Sequence, residues 1–523
     1  MRTHSLVLAE NQDGKLQSGF IPMPSELAYA AGHYAEQVMP LEIVRPAPAS
    51  AVIGFYSPDY YGYVGRETQI RITAQGGRYP YNVVIEEAPA GAVVSNDATD
   101  KDNYMVMRFT PTENGVQTIK YRVYDATGTD VKTITQTFTT SDDWCVFADP
   151  SGSDATGDGS FSNPYKTPQG ALSATSGGKA LILKNGNYTD TTLGISLSSA
   201  TINSLLAWES RGAEIDMAAN VQTTPGILFY INSSHTLIQG IKFSNPQNLV
   251  QSPRIFSGDG AVNYVYQDDC EFEINGRSGT VNSDNVSCFF LGATDRHHVA
   301  QTRCEFSGFV GLSNGWSAFD WYGTSYWAVE CNTIRDQLSA NNLGAGMLWP
   351  KGTGCKNGDI KNNEFSTEFS GSLIDIYMAN VGDANDVSGN IDVSFNLIRA
   401  SDNAGVWIAR ASQNGDRLPV WTRRNTLVGG CILIFRRSFD VTVHSDSDVI
   451  QSTISSSDPW KVVLRDSNDA SGVYRPLSDM ATLTASVVNY ECQASSSVVD
   501  SSGILIGGYA AYRGTRGHEI TRG

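Results

Sequence analysis

Between residues 241 and 427 a three-residue signature returns seven times, and it constrains the fold more than any other feature. It reads Ile241-Lys242-Phe243, Cys270-Glu271-Phe272, Cys304-Glu305-Phe306, Asn332-Thr333-Ile334, Asn363-Glu364-Phe365, Asn396-Leu397-Ile398 and Asn425-Thr426-Leu427. The third residues are 29, 34, 28, 31, 33 and 29 apart. A period of roughly 20 to 50 residues marks a repeat architecture. The intervening runs are short, β-rich and broken by Gly, Asn, Asp and Ser, with no amphipathic helical stretch. Such a unit buries its apolar face only by stacking on the next one. In a parallel solenoid equivalent residues of successive coils stand ~4.8 Å apart. The first residue of the signature then holds a bend and the third fills the core. Asn suits a bend because it tolerates left-handed geometry, and stacked Asn side chains can link coil to coil as a ladder. A β-sandwich with coincidental spacing is the alternative.

Length and composition fit the solenoid. At 523 residues the chain is too long for one ordinary core. Charged residues make up 17%, below the ~25% of an average soluble domain, while 50 glycines supply tight bends. A formal charge of −17 and a pI near 4.8 argue against nucleic acid and against an anionic membrane surface. An acidic polysaccharide partner would need basic residues gathered locally. No run approaches the ~20 apolar residues of a membrane span. The apolar stretch at 5–9 is too short for a signal peptide and Glu10 follows it, so the expectation is a product made in a cytosol without signal-dependent export. The eight cysteines show no CxxC spacing and no His partners, so neither zinc nor another metal or cofactor is expected. Cys270 and Cys304 share one place in the repeat; buried free thiols are expected there rather than a disulfide.

Residues 1–50 are punctuated by prolines and read as an arm that orders against a partner, with plain disorder as the alternative. Residues 51–142 alternate like exposed antiparallel strands, with turns at Gly76-Gly77, Asn114-Gly115 and Thr127-Gly128. That spacing predicts a small β-sandwich. Gly76 to Tyr81 and Tyr121 to Gly128 resemble bacterial and phage immunoglobulin-like modules, which implies a spacer or weakly adhesive unit.

At Trp144 the texture changes. The stretch from Phe147 to Leu172 resembles the opening segment of right-handed parallel β-helix proteins of the pectate-lyase-like superfamily, and 180–189 resembles the strand and turn that follow it there. The resemblance implies a right-handed parallel β-helix over 143–465, closed by 466–523. Physically, Thr167 can N-cap a short helix with Pro168 at its first position, plugging the open end of the solenoid. The acidic loop from Asp149 to Asp158 lacks the EF-hand pattern and reads as Asx turns rather than a calcium site. The whole chain is therefore expected to be all-β, a right-handed parallel β-helix preceded by an immunoglobulin-like β-sandwich.

Aligning coils on the signature brings together 318–322, 347–351, 374–377, 406–410 and 433–437. Alternation separates Phe319, Trp321, Ile374 and Ile376 from Asp320, Tyr322, Asp375 and Tyr377. The second set mixes carboxylates and aromatics, as sugar-binding grooves do. Asp320 and Asp375 are candidate catalytic carboxylates of an inverting glycosidase, two strand spacings or roughly 9.6 Å apart. Tyr322 and Trp349 would hold the sugar, with Lys351 and Arg436 recognising acidic substituents. Residues 405–410 with 424–429 resemble the coil that presents the catalytic arginine in alginate-lyase and chondroitinase-B-like enzymes. That likeness implies Arg410 as a uronate-neutralising group, with Tyr377 where the family has a lysine base. Arm, spacer and long helix in this order resemble a phage tail spike or fibre. The resemblance implies a virion protein, a homotrimer, docked to other virion proteins through the arm and meeting a host cell-surface polysaccharide. A secreted bacterial polysaccharide lyase or hydrolase, and a non-catalytic virion decoration, are the alternatives.

Overall fold

The computed structural model describes residues 61–75, 80–126, 131–190, 194–218 and 227–245, short strands before residue 44, and thereafter mainly the strand cores of each coil. Side chains are described for most of these up to Ile398, and for Asn425. The chain is nearly all β. Three long sheets of 12, 10 and 11 strands run through it, and each coil gives one strand to each in turn. Sheet I opens with Cys145–Ala148, sheet II with Gly186–Tyr188 and sheet III with Ile195–Leu197. Pairing within each is parallel, except where Arg475–Pro476 closes sheet III antiparallel. This is the parallel β-helix that the repeat predicts.

The third signature residues form one column in sheet II, paired in order from Phe243 through Leu427. Ile215 precedes the column and Ile450 follows it. From Phe243 to Ile398 every member is buried. The rings of Phe243, Phe272 and Phe306 stack with centroids 5.2 and 4.9 Å apart, close to the strand spacing. The sheet register therefore sets the ring stack.

The bend lies one residue earlier than the signature implied. Gly240, Asp269, Arg303, Cys331, Asn362 and Phe395 all have positive φ, between 52° and 74°. They turn the chain from sheet I into sheet II, and the signature residue follows each. That leaves the signature Asn free to act as a ladder alone. Asn332, Asn363, Asn396 and Asn425 are fully buried. Each of Asn363, Asn396 and Asn425 accepts on Oδ1 from the backbone N–H and the Nδ2 of the Asn one coil before, at 2.9–3.0 Å. Each of the four donates Nδ2 to a sheet I carbonyl, of Gln301, Val329, Ile360 and Val393 respectively. Cys304 and Cys270 continue the ladder with thiols directed at Gln267 O and Ile238 O, 3.8 and 3.7 Å away. They are buried free cysteines, as are Cys145, Cys288 and Cys331.

The open end is plugged as expected. Helix α1 (Pro168–Ala174) is capped by Thr167, whose Oγ1 accepts from Gly170 N–H at 2.9 Å, and it buries Pro168 and Ala171. Asp149 and Asp158 make Asx turns by accepting from the N–H groups of Ser151 and Ser160.

Residues 61–140 form two further sheets, one of four strands ending with Val131–Thr140 and one of three built on Thr68–Arg71. They share a core that includes Ile70, Met107, Phe109, Tyr121 and Phe138. Here the structure departs from the expectation of an exposed spacer. Strand Thr68–Arg71 is buried at all four residues, because it lies on the outer face of sheet I. Arg66 Nε and Nη2 donate to Ala207 O at 3.1 and 2.8 Å. Gln239 Nε2 donates to Gln69 O at 3.1 Å, and Arg303 Nη2 donates to Gln69 Oε1 at 3.1 Å. Arg71 Nη2 meets Glu330 at 2.9 Å, Lys361 Nζ donates to Tyr81 OH at 2.6 Å, and Asn362 Nδ2 donates to Ala98 O at 2.9 Å. Partners of residues 66, 69 and 71 thus climb from coil to coil. Five residues of extended chain span about 17 Å and four coil steps about 19 Å, so the strand runs along the solenoid axis.

Charges sealed beneath this module are paired. Burial alone would raise the Asp268 carboxyl, but Arg303, 2.5 Å away, outweighs it and holds that group well below the usual range. Burial pushes Asp359 up to about 7 even though Lys361 lies 2.7 Å off.

Candidate functional site on the outer face of sheet III

The module's described contacts run along sheet I and the corner into sheet II, so the search for a ligand face turns to sheet III. Its inward row begins Ile195, Phe229, Phe256 and Phe289 and continues in register to Phe319, Leu348 and Ile374. Phe229 and Phe256 stack at 5.1 Å, and Trp321, two residues beyond Phe319, is wholly buried. One place along each strand is the neighbouring row. It runs Ser196, Tyr230, Ser257, Phe290, Asp320 and Trp349, each opposite the next. The pairs Leu348–Ile374 and Lys351–Tyr377 set Asp375 opposite Trp349, and Trp407 follows Asp375.

Three rows hold the eight residues singled out in the sequence. Asp320, Trp349 and Asp375 share the first. Tyr322, Lys351 and Tyr377 share a second, two residues further along the strands. Arg410 and Arg436 are opposite one another in a third. Met378, not Tyr377, holds the place opposite Arg410, and Ala409 is opposite Tyr377. The register therefore does not pair the arginine with the tyrosine. The side chains of all eight lie outside the described residues.

Upstream the row has side chains in view, and the sequence reading passed over them. Tyr230 and Phe290 are half-buried, and the Arg254 guanidinium lies 3.4 Å from the Phe290 ring centroid. Arg254 Nη1 also donates to Ser257 Oγ at 3.4 Å. Carrying the coil alignment back beyond Ile241 by the same period would have reached Tyr230. Aromatic faces and carboxylates repeating at ~4.8 Å suit an extended glycan, because rings stack on pyranose faces while charges hold hydroxyls.

At the corner from sheet III into sheet I stand His235, Tyr264 and His298, with φ of 62°, 58° and 58°. Their rings pack at 4.6 and 4.9 Å, and His297 Nδ1 lies 2.8 Å from His298 Nδ1. Burial, aided by His297, lowers both His235 and His298 to about 4, so at neutral pH these imidazoles are uncharged.

No family model matches this sequence, and no curated protein matches it. Among solved structures the chain is similar to a rhamnogalacturonan lyase at 12% identity, over 66% of this chain and 89% of that one, with a TM-score of 0.34. It is also similar to two putative α-galactosidases from Bacteroides fragilis, at 11% and 10% identity and a TM-score of 0.16 each. Those two cover 33% and 38% of this chain and 38% and 50% of theirs. Likenesses this distant bear neither on the activity nor on the substrate of this chain.

Proposed function

We propose that this protein is the host-recognition part of a phage tail spike or fibre. It binds a host cell-surface polysaccharide along the outer face of sheet III, as a homotrimer docked to other virion proteins through residues 1–50. What supports the reading is the row that runs from Tyr230 through Ser257 and Phe290 to Asp320, Trp349, Asp375 and Trp407 on successive coils. A long, regular, aromatic and acidic track fits a polymer better than a small molecule. Asp320 and Asp375 are the proposed acid and base of an inverting hydrolysis. Two strand spacings, roughly 9.6 Å, stand at the wide end of the ~6.5–9.5 Å that admits a water.

The test is to incubate the purified full chain with host surface polysaccharide, and to measure binding, product size and ultraviolet absorbance. Trp349→Ala and Tyr230→Ala are each expected to weaken binding about tenfold. Asp320→Asn or Asp375→Asn should slow cleavage by at least about a hundredfold, with new reducing ends as the only product. An ultraviolet-absorbing unsaturated product would instead assign the chemistry to Arg410 with Lys351 or Tyr377. Light scattering should give three times the 56.5 kDa chain mass. Absence of binding to any surface polysaccharide of the host overturns the reading.

A further inference from the structure

Where the module meets the first coils, the two line an open cavity of about 390 Å³, inside the ~300–1,000 Å³ range of ligand pockets, which favour such junctions. Its roof includes Arg66, Glu67 and Arg108, and its floor Trp208, Glu209 and Asp269. Arg66 is the unusual member. It is 6% exposed, yet among the described residues no carboxylate comes within ion-pair distance of it. It spends two N–H bonds on Ala207 O, which leaves three of the five donors a guanidinium has. Burial draws its pKa down to about 10, outweighing the opposite pull of the nearby Cys145 and Glu67, as expected of a cation held largely out of water.

The other groups narrow the occupant. Glu67 is 51% exposed and already bonded to Arg108 at 3.0 Å. Glu209 is exposed and accepts from Asn185 Nδ2 at 2.6 Å. Asp269 accepts from Ser210 Oγ at 2.6 Å. Trp208 is half-buried, with Phe161 against it at 4.9 Å. Two of the three carboxylates are already paired, Glu67 with Arg108 and Asp269 with Arg211, and an inorganic anion on Arg66 would leave Glu209 and the indole face unused. A molecule with one anionic group, several hydroxyl donors and an apolar ring face would satisfy the guanidinium, the carboxylates and the indole together. We propose that this cavity is a second carbohydrate site, distinct from sheet III, that takes one acidic sugar residue. Its carboxylate would sit on Arg66 as a charge-assisted pair, its hydroxyls on Glu67 and Glu209, and its ring on Trp208.

The test uses the full chain and three probes, glucuronate, glucose and inorganic sulfate, followed by saturation-transfer NMR and calorimetry. Glucuronate is expected to bind saturably with a Kd on the order of 1 mM. Glucose should bind at least about tenfold more weakly, because it cannot make the charged hydrogen bond, and sulfate should not displace glucuronate. Arg66→Gln should erase the preference for glucuronate over glucose. Because Arg66 is buried, Glu209→Ala at an exposed position serves as the second variant, and it should weaken both sugars severalfold with an unchanged melting temperature. Equal affinity for the two sugars, displacement by sulfate, undiminished binding in Glu209→Ala, or no saturable binding each overturns the proposal. None of these outcomes depends on the polysaccharide assay of sheet III, so the two readings stand or fall separately.

Discussion

Asn363 joins three coils at once. It accepts from the N–H and Nδ2 of Asn332 on one side, and donates Nδ2 to Val329 O and to Asn396 Oδ1. Removing it strands buried backbone groups, at about 1–3 kcal/mol each. Asn363→Leu is therefore expected to lower the unfolding free energy by roughly 3–5 kcal/mol in urea titrations. Asn363→Cys should cost less, since Cys270 and Cys304 already fill that place with a thiol pointed at a carbonyl. A second residue-scale expectation concerns acid. His235 and His298 titrate near 4 in the fold and near ~6.5 when unfolded. Their contribution is complete above pH 6.5 and is lost as pH falls toward 4. Asp359, raised to about 7, works the other way and gains stability over the same fall. The readout is therefore a difference: on going from pH 6.5 to 4 the double variant His235→Asn/His298→Asn should lose less melting temperature than the parent. Asn suits both positions because it tolerates positive φ. The core column was legible in the sequence because its members share size and apolarity. The bend position was not, since Gly240, Asp269, Arg303, Cys331, Asn362 and Phe395 share a backbone angle and no side-chain chemistry.

Strand Lys356–Lys361 shows how tightly one element depends on the next. A Cβ added at Gly358 would come within 2.0 Å of the Trp327 indole, which is itself buried edge-on to Trp321 at 6.1 Å. Gly358→Ala is expected to destabilise by roughly 1–3 kcal/mol through overpacking, and thermal melts should partly recover when Trp327→Leu is added. On sheet III, alternation within strands puts Phe319 and Ile374 in one row and Asp320 and Asp375 in the next, and the strand register runs along the same rows. Cross-coil places were harder to read, because loops of unequal length separate the strands. The one-residue offset between Tyr377 and Arg410 lies inside the strands, where Ile374 is opposite Val406 and Met378, one place on from Tyr377, is opposite Arg410. Tyr230 and Phe290 went unread for a simpler reason: they precede or lie between signatures in coils whose outer residues carry no paired charge to draw notice.

Across the whole molecule, the seat of the N-terminal module is the feature the sequence hid most completely. Strand Thr68–Arg71 alternates as an exposed edge would, and its partners lie far off, with Arg71 and Glu330 separated by 259 positions. Only the fold reveals that both faces are covered. Arg71→Met would leave Glu330 buried without its cation, at a cost of about 3–5 kcal/mol, and adding Glu330→Leu should restore most of it. Calorimetry of the full chain is expected to show module and solenoid melting together, and Arg71→Met should lower that shared transition rather than split it. Because the strand lies along the solenoid axis and meets a different coil every one or two residues, a pull on the N-terminal end loads those contacts in parallel. They resist as a lap joint does, in shear and all at once, instead of parting one after another like a zip.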